Sequence, residues 1–398
     1  MRCKIIISLL ILKLIYVSTY KINSLSIDSN EDIRKEINDL NTLETNNRKK
    51  RKIRRDISYK WRMPIPYTVI EPVNSFTVDT ALQAISKETC INFTKRSFLN
   101  YVTPGILYTF TGQCESFIGK LVNYGWQGIE IGRHCEYPGL FHEQCRFDRD
   151  EHIKLRQSNM DENGLRNCYK VGFADYQTYN LNYDLGSIMH YGTYAFSKND
   201  KRTLVAHDPH YFKTYGQTER LSFIDIKTLN YHYCSDVCPH KIPCSNQGFQ
   251  DSKNCLACRC PEGFGGTHCE EVARQRRGCR KAVIWVADKV ININFKSKRN
   301  CFIHLKTVKG REIIIKLVKL HMHPINYRFC SFNNSLEINY QVDKSVSGAR
   351  FCAEDHNRLM ISYNEHVIVY YRSQGSGNFA HLIAKSIKQR KRQFQVIE

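Results

Sequence analysis

After Ile5–Leu12, a run that Lys13 interrupts, no stretch of this 398-residue chain reaches the roughly 18 apolar residues a membrane-crossing helix needs. That excludes a helical span. Zinc-finger spacing and base-stacking motifs are also missing. The surplus of Lys and Arg over Asp and Glu, a net +21, therefore does not point to nucleic acid. Residues 20–55 contain no cysteine and few aromatics, so they do not read as part of a packed domain.

What is present is mostly cysteine and charge. Met1-Arg2-Cys3-Lys4 ahead of the apolar run reads as a signal peptide over residues 1–19, and residues 20–55 as a pro-segment. The basic run Arg48–Arg55 offers a convertase cut after Arg51 or Arg55. Residues 1–55 hold 13 basic and 6 acidic side chains, so their removal leaves +14, a surface suited to sulfated matrix polyanions. Of 17 cysteines, Cys3 lies in the signal, and the other sixteen suit disulfides in an oxidising, extracellular compartment. Asn92-Phe93-Thr94 and Asn333-Asn334-Ser335 are glycosylation sequons.

Pro64–Ile70 reads as a strand, and Thr77–Glu88, with Val78, Leu82 and Ile85 at helical spacing, as a helix. Further on come Gly125-Trp126-Gln127-Gly128-Ile129-Glu130-Ile131-Gly132, then Gly139-Leu140-Phe141-His142-Glu143-Gln144-Cys145-Arg146-Phe147-Asp148-Arg149-Asp150, then Tyr183-Asp184-Leu185-Gly186-Ser187-Ile188-Met189-His190-Tyr191-Gly192. Together these resemble the astacin family of zinc metalloendopeptidases, over residues 56–234. The resemblance implies an α+β metzincin-type domain with His142 as a zinc ligand, Tyr191 as a displaceable one and Met189 in the Met-turn. It also implies the pairs Cys114–Cys135 and Cys90–Cys234. Cys145 and Cys168 are left over, and they are expected to pair with each other.

Cys258-x-Cys260-Pro261-x-Gly263-Phe264-x-Gly266-x-x-Cys269 resembles the end of an EGF-like module, here residues 235–270. Such a module is too small for a core of its own. The resemblance implies Cys238–Cys255, Cys244–Cys258 and Cys260–Cys269. A linker follows at 271–278; its Arg274-Gln275-Arg276-Arg277 fits either a second convertase site or an exposed connection. In residues 279–384 the cysteines fall as two local pairs, Cys279/Cys301 and Cys330/Cys352, among strand-like runs such as Ile313–Val318 and Val367–Tyr371. This pattern resembles a CUB domain, an all-β sandwich used for binding. Residues 385–398 read as a basic tail.

The family signature runs H-E-x-x-H-x-x-G-x-x-H-E-Q-x-R-x-D-R-D, and only its last third is here. An ungapped alignment puts Gly132, Arg133 and Glu136 where His, Glu and His belong, with Pro138 inside a helix at a cost of about 3 kcal/mol. A deletion fits better. Gly139 closes Cys135-x-x-x-Gly139 and opens Gly139-x-x-His142, so that eleven residues, about 16 Å of helix, are missing with both flanks in phase. Losing that helix should open the core of the upper lobe. His142 and Tyr191 are then the remnant zinc-site residues, with no intact catalytic residue. A hydrolytic zinc needs about three protein ligands and a carboxylate base, so the family's zinc is not expected to be held stably. His134, Cys135 and Glu136 make a poor substitute. The chain reads as an inactive pseudoprotease that meets extracellular protein ligands through its EGF-like and CUB-like modules. The alternatives are an active zinc endopeptidase, if a longer transcript or a corrected gene restores the helix, and a matrix-binding protein.

Overall fold

The computed structural model describes residues 53–54, 58, 60–97, 102–111, 115–116, 120, 125–131, 142–172, 176–279, 281–326 and 328–389. The signal, residues 20–52 of the pro-segment, Arg55, Cys114, Cys135 and the junction at 132–141 lie outside these residues, Arg51 among them, while Ile53 and Arg54 at the end of the pro-segment are described.

The described residues begin with a two-residue strand, β1 (Ile53–Arg54), followed by β2 (Ile65–Val69), where Ile65 and Tyr67 turn inward. Helix α1 (Ser75–Glu88) begins at Asn74, whose side-chain oxygen accepts the Thr77 amide hydrogen at 3.0 Å. Val78, Ala81, Leu82 and Ile85 form its buried stripe, the larger side chains contributing about 1.5–3 kcal/mol each on burial. The strands β3 (Phe93–Lys95), β4 (Gly105–Thr109), β5 (Glu115–Ser116) and β6 (Trp126–Glu130) complete a sheet of order β3-β2-β4-β6-β5. Its strands are parallel except β5, which runs antiparallel to β6. Gly105 is required where it stands, because a Cβ there would meet the Trp126 ring at 2.6 Å.

The lower lobe carries β7 (Ile153–Leu155), α2 (Glu162–Asn167), β8 (Tyr176–Gln177) and β9 (Leu204–Ala206), with β7 paired to β9 and β8 to β1. Helix α3 (Phe223–Tyr233) opens with a capping box between Ser222 and Asp225. Its Ile226 and Leu229 enter the upper-lobe core beside Trp61, Val78, Tyr108, Ile129 and Met189. The Cys90–Cys234 disulfide joins the ends of α1 and α3. Residues of α1, α3 and the Met-turn thus share one cluster in the described upper-lobe core.

Three further disulfides, Cys238–Cys255, Cys244–Cys258 and Cys260–Cys269, staple the next unit. It is built on two hairpin pairs, β10 (Phe249–Asp251) with β11 (Asn254–Arg259) and β12 (Phe264–Gly265) with β13 (Glu271–Val272). Glu271 and Val272, assigned to a linker on sequence grounds, are thus part of this unit, and Ala273 donates its amide hydrogen to Gly263 at 2.8 Å. Arg274, Arg276 and Arg277 are exposed.

The last unit is a sandwich. One sheet combines β14 (Val283–Trp285), β16 (Asn300–Lys306), β18 (Ser335–Asn339), β19 (Ala349–Phe351) and β21 (His366–Arg372) in the order β14-β16-β21-β18-β19. The other combines β15 (Ile291–Lys296), β17 (Arg311–Met322), β20 (Ala353–Ile361) and β22 (Phe379–Lys388) in the order β15-β22-β17-β20. Cys279–Cys301 and Cys330–Cys352 are bonded. The strand β22 corrects the start of the basic tail. Inward alternation through Ala380, Leu382, Ala384 and Ser386, with pairing to β17, carries the sheet to Lys388.

The sandwich and the lower lobe share one apolar cluster, running from Ile153, Leu204 and Tyr215 into Leu317, Ile338 and Val369. Polar contacts reinforce it. Tyr340 donates to Asp208, the Ser331 hydroxyl and Phe332 amide both donate to one Glu219 oxygen, and Ser347 donates its amide hydrogen to Asp184. A cleft of about 590 Å³ at this junction is lined by Arg220, Glu262, Phe332, Glu337, Arg350 and Arg372.

Candidate metal centre

His142 stands just before a 3-10 turn, Glu143–Cys145, and is buried. The Met189 carbonyl receives two hydrogens from this segment, one from His142 Nδ1 at 3.0 Å and one from the Glu143 amide at 3.0 Å. With the proton on Nδ1, the lone pair of His142 lies on Nε2. The Tyr191 ring sits 4.0 Å from the His142 ring, tilted by 41°, and packs edge-on against Phe196. Gln144 fixes Tyr191 by accepting its amide hydrogen at 3.1 Å. Met189 is buried and its side chain packs into the upper-lobe core. The structure therefore brings His142, Met189 and Tyr191 together.

The Met-turn is anchored from three sides. Asp225, in the first turn of α3, accepts from the Ser187 hydroxyl at 2.6 Å and the Ile188 amide at 3.1 Å. Glu143 accepts the Asp184 amide hydrogen at 2.9 Å. From the sandwich, the Ser347 side chain lies so close to Gly186 that a Cβ there would meet its hydroxyl oxygen at 2.1 Å.

Behind His142 lies an ion cluster that sequence reasoning did not place. Arg146 is fully buried and donates twice to Asp148, at 2.8 and 2.7 Å, and once to Glu143 at 3.1 Å. It also donates to the Leu181 carbonyl at 3.2 Å and lies over the Tyr183 ring. Burial drives the Tyr183 hydroxyl pKa well above the usual tyrosine range, with Glu143 adding to the effect. Arg149 donates to the Gln144 carbonyl at 2.9 Å and to the Cys168 carbonyl. The R-x-D-R-D pattern was the available signal, but Arg146 bonds the Leu181 carbonyl 35 residues away in sequence.

Cys145 and Cys168, expected to bond, are both free and buried. The Cys145 thiol instead donates to the Asn167 carbonyl at 3.2 Å. Burial raises both thiol pKa values, pushing Cys168 up to about 12. Asn92 and Asn333, the sequon residues, are exposed.

Among the described residues, the donor set at His142 does not fit a hydrolytic zinc. Among the described residues, no group of three His, Cys, Asp or Glu side chains with converging ligand atoms includes His142. Nearby, His190 is engaged at both nitrogens, with the Tyr191 carbonyl at 2.7 Å and the Tyr183 hydroxyl at 2.8 Å. One imidazole and one phenol fall short of the three ligands and carboxylate base that hydrolysis requires.

The model of the astacin peptidase family matches residues 53–234. The chain is 30% identical over 382 residues to zinc metalloproteinase nas-29 of Caenorhabditis elegans, covering 86% of this chain and 69% of that protein. It belongs to the astacin family. Zinc metalloproteinase nas-34 of the same worm is 30% identical over 348 residues, 84% of this chain and 57% of that protein. The chain thus spans little more than half the length of some relatives in this family. The hatching enzyme zinc-protease high choriolytic enzyme 1 of medaka, Oryzias latipes, aligns with 27% identity and a TM-score of 0.40, covering 45% of this chain and 96% of that one. The astacin family is zinc-dependent. Among the described residues no helix is long and apolar enough to cross a membrane.

Proposed function

We propose that this chain is an extracellular astacin-family protein without peptidase activity, whose EGF-like and CUB-like units bind ligands. One observation carries the reading: His142 and Tyr191 come together as remnants of the family site, with no third ligand group among the described residues. Six disulfides among the described residues support export to an oxidising compartment. The +14 left once residues 1–55 are removed supports retention on sulfated polyanions, alongside extracellular protein ligands. The test is hydrolysis of peptide and protein substrates by the purified chain. No cleavage is expected with or without a chelator, and chelator-sensitive cleavage overturns the reading.

A second reading, an active zinc endopeptidase made from a longer transcript, draws on two buried polar atoms without partners, Tyr108 Oη in the upper-lobe core and Gln144 Nε2 beside His142. Such atoms carry a penalty of about 1–3 kcal/mol each, which a fold built around an additional segment would relieve. Sequencing the transcript across Ile131–His142 separates the two. An inserted H-E-x-x-H segment in the main transcript favours the enzyme.

A further inference from the structure

We propose that His321, His323 and Glu354 form a site for a divalent late transition metal, zinc foremost, on the outer face of the sandwich. The site lies far along the chain from His142 and is built on different elements. In β17 the burial alternates: Leu320 and Met322 enter the core, while His321 points outward and His323, just past the strand end, does likewise. Residues two apart share a face of a strand, so both rings emerge on the same side. The edge strand β20 supplies Glu354, which stands directly opposite His321 in the antiparallel register.

The three side chains converge, with one ligand atom from each lying within 4.8 Å of the others. Both rings approach the same carboxylate oxygen. His321 Nδ1 is hydrogen-bonded to Glu354 Oε1, and His323 Nε2 lies 3.4 Å from it. Zinc–nitrogen and zinc–oxygen bonds of about 2.0–2.2 Å at tetrahedral angles separate neighbouring ligand atoms by about 3.3–3.5 Å. The His323–Glu354 spacing already has that length. Metal entry would exchange the His321–Glu354 hydrogen bond for two coordinate bonds.

The site is also held in place. His321 stacks on Phe379 with an interplanar angle of 11°, which fixes the plane of its ring. Asn378, buried, clamps the His323 backbone by accepting its amide hydrogen at 2.8 Å and donating to its carbonyl at 2.9 Å. Lys319, on the same face, works against a cation, but its ammonium rests over the Phe379 ring. Two imidazoles and one carboxylate suit zinc, copper or nickel, whereas calcium and magnesium take oxygen donors. Three protein ligands leave a fourth position for water or for a donor from a partner. Bound metal would also pin the start of edge strand β20 to the end of β17.

The proposal bears directly on zinc measurements, because one zinc per chain would not by itself indicate a working peptidase site. The experiment is equilibrium dialysis of the full secreted chain against zinc, followed by metal analysis. We compare the wild type, His142→Ala, and the double variant His321→Ala/His323→Ala. Wild type and His142→Ala are expected to hold one equivalent and the double variant none. The proposal fails if the wild type holds none, if the double variant keeps its equivalent, or if His142→Ala loses it. That last result places zinc at the family position and would overturn the proposed function as well. Melting without metal checks that the double variant folds; if it does not, Glu354→Gln serves instead, with the same loss of the equivalent expected.

Discussion

Glu143 Oε1 lies 2.9 Å from the Asp184 backbone nitrogen and accepts its hydrogen, tying the surviving end of the zinc signature to the start of the Met-turn. The same oxygen receives a hydrogen bond from Arg146, and Gln144 receives one from Tyr191. In this chain the H-E-Q-x-R-x-D segment is a scaffold. Its hydrogen bonds, made by Glu143, Gln144 and Arg146, join the 3-10 turn to the Met-turn segment.

Removing the cation at the centre of that scaffold should be severe. Arg146→Ala leaves Glu143 and Asp148 buried without their guanidinium partner and is expected to cost about 3–5 kcal/mol. Denaturant unfolding of the purified variant measures this. A loss below about 1 kcal/mol, the range of exposed ion pairs, would contradict the buried cluster.

The two buried thiols give a chemical test. Neither Cys145 nor Cys168 should react with an alkylating reagent in the native protein, since burial raises both pKa values and disfavours the thiolate. After denaturation without reductant, peptide mass spectrometry should find both labelled. Recovery of a Cys145–Cys168 disulfide would restore the pairing expected from the cysteine count.

At the junction of the EGF-like unit and the sandwich, His304 stacks on His366, with Nδ1 of one 2.9 Å from Nε2 of the other, and His304 donates to the Gly263 carbonyl at 2.9 Å. Burial lowers both pKa values, helped by Lys344 and Lys306. His304 falls from 6.5 to about 4 and His366 to about 2. The folded pair is neutral, while the unfolded chain takes up protons below pH 6.5. Stability should therefore fall as pH drops from 6.5 through 4 and toward 2. Melting temperature against pH reads this, and His366→Phe should flatten the slope over that window. An unchanged slope would remove the pair from the account.

Arg372 bridges Glu337 at 2.9 Å and Glu262 at 2.7 Å, linking the sandwich to the EGF-like unit, while Arg350 holds Glu337 at 3.0 Å. Burial alone would raise the Glu337 pKa, but the two guanidiniums outweigh it and bring it from 4.5 to about 2. Its contribution is complete above pH 4.5 and is lost as pH falls through 2. Glu337→Gln should cost about 3–5 kcal/mol at neutral pH, measured by thermal unfolding, with the difference from wild type shrinking in acid.

Local features were legible in the sequence. The helix stripe Val78, Leu82 and Ile85 rests on neighbours about a turn apart, so spacing sufficed there, and the three EGF-like disulfides, between cysteines 9 to 17 residues apart, followed from the resemblance to that module. The Met-turn and His142 were readable as motif, and the rings of His142 and Tyr191 lie 4.0 Å apart. Counting failed for Cys145 and Cys168, because an even number of thiols says nothing about whether two of them meet in bonding geometry.

By itself, the sequence determined that this chain is an astacin-family protein with a broken zinc signature, because the absent His and Glu are missing from the covalent chain. Only the tertiary structure decided what the remaining residues do. Glu143 and Asp184 are 41 residues apart, and His321 and Glu354 are 33. Their contacts depend on how loops dock and how strands align, and no local pattern encodes that. The Met-turn is secured by hydrogen bonds to α3, to the Arg146 cluster and to a loop of the sandwich.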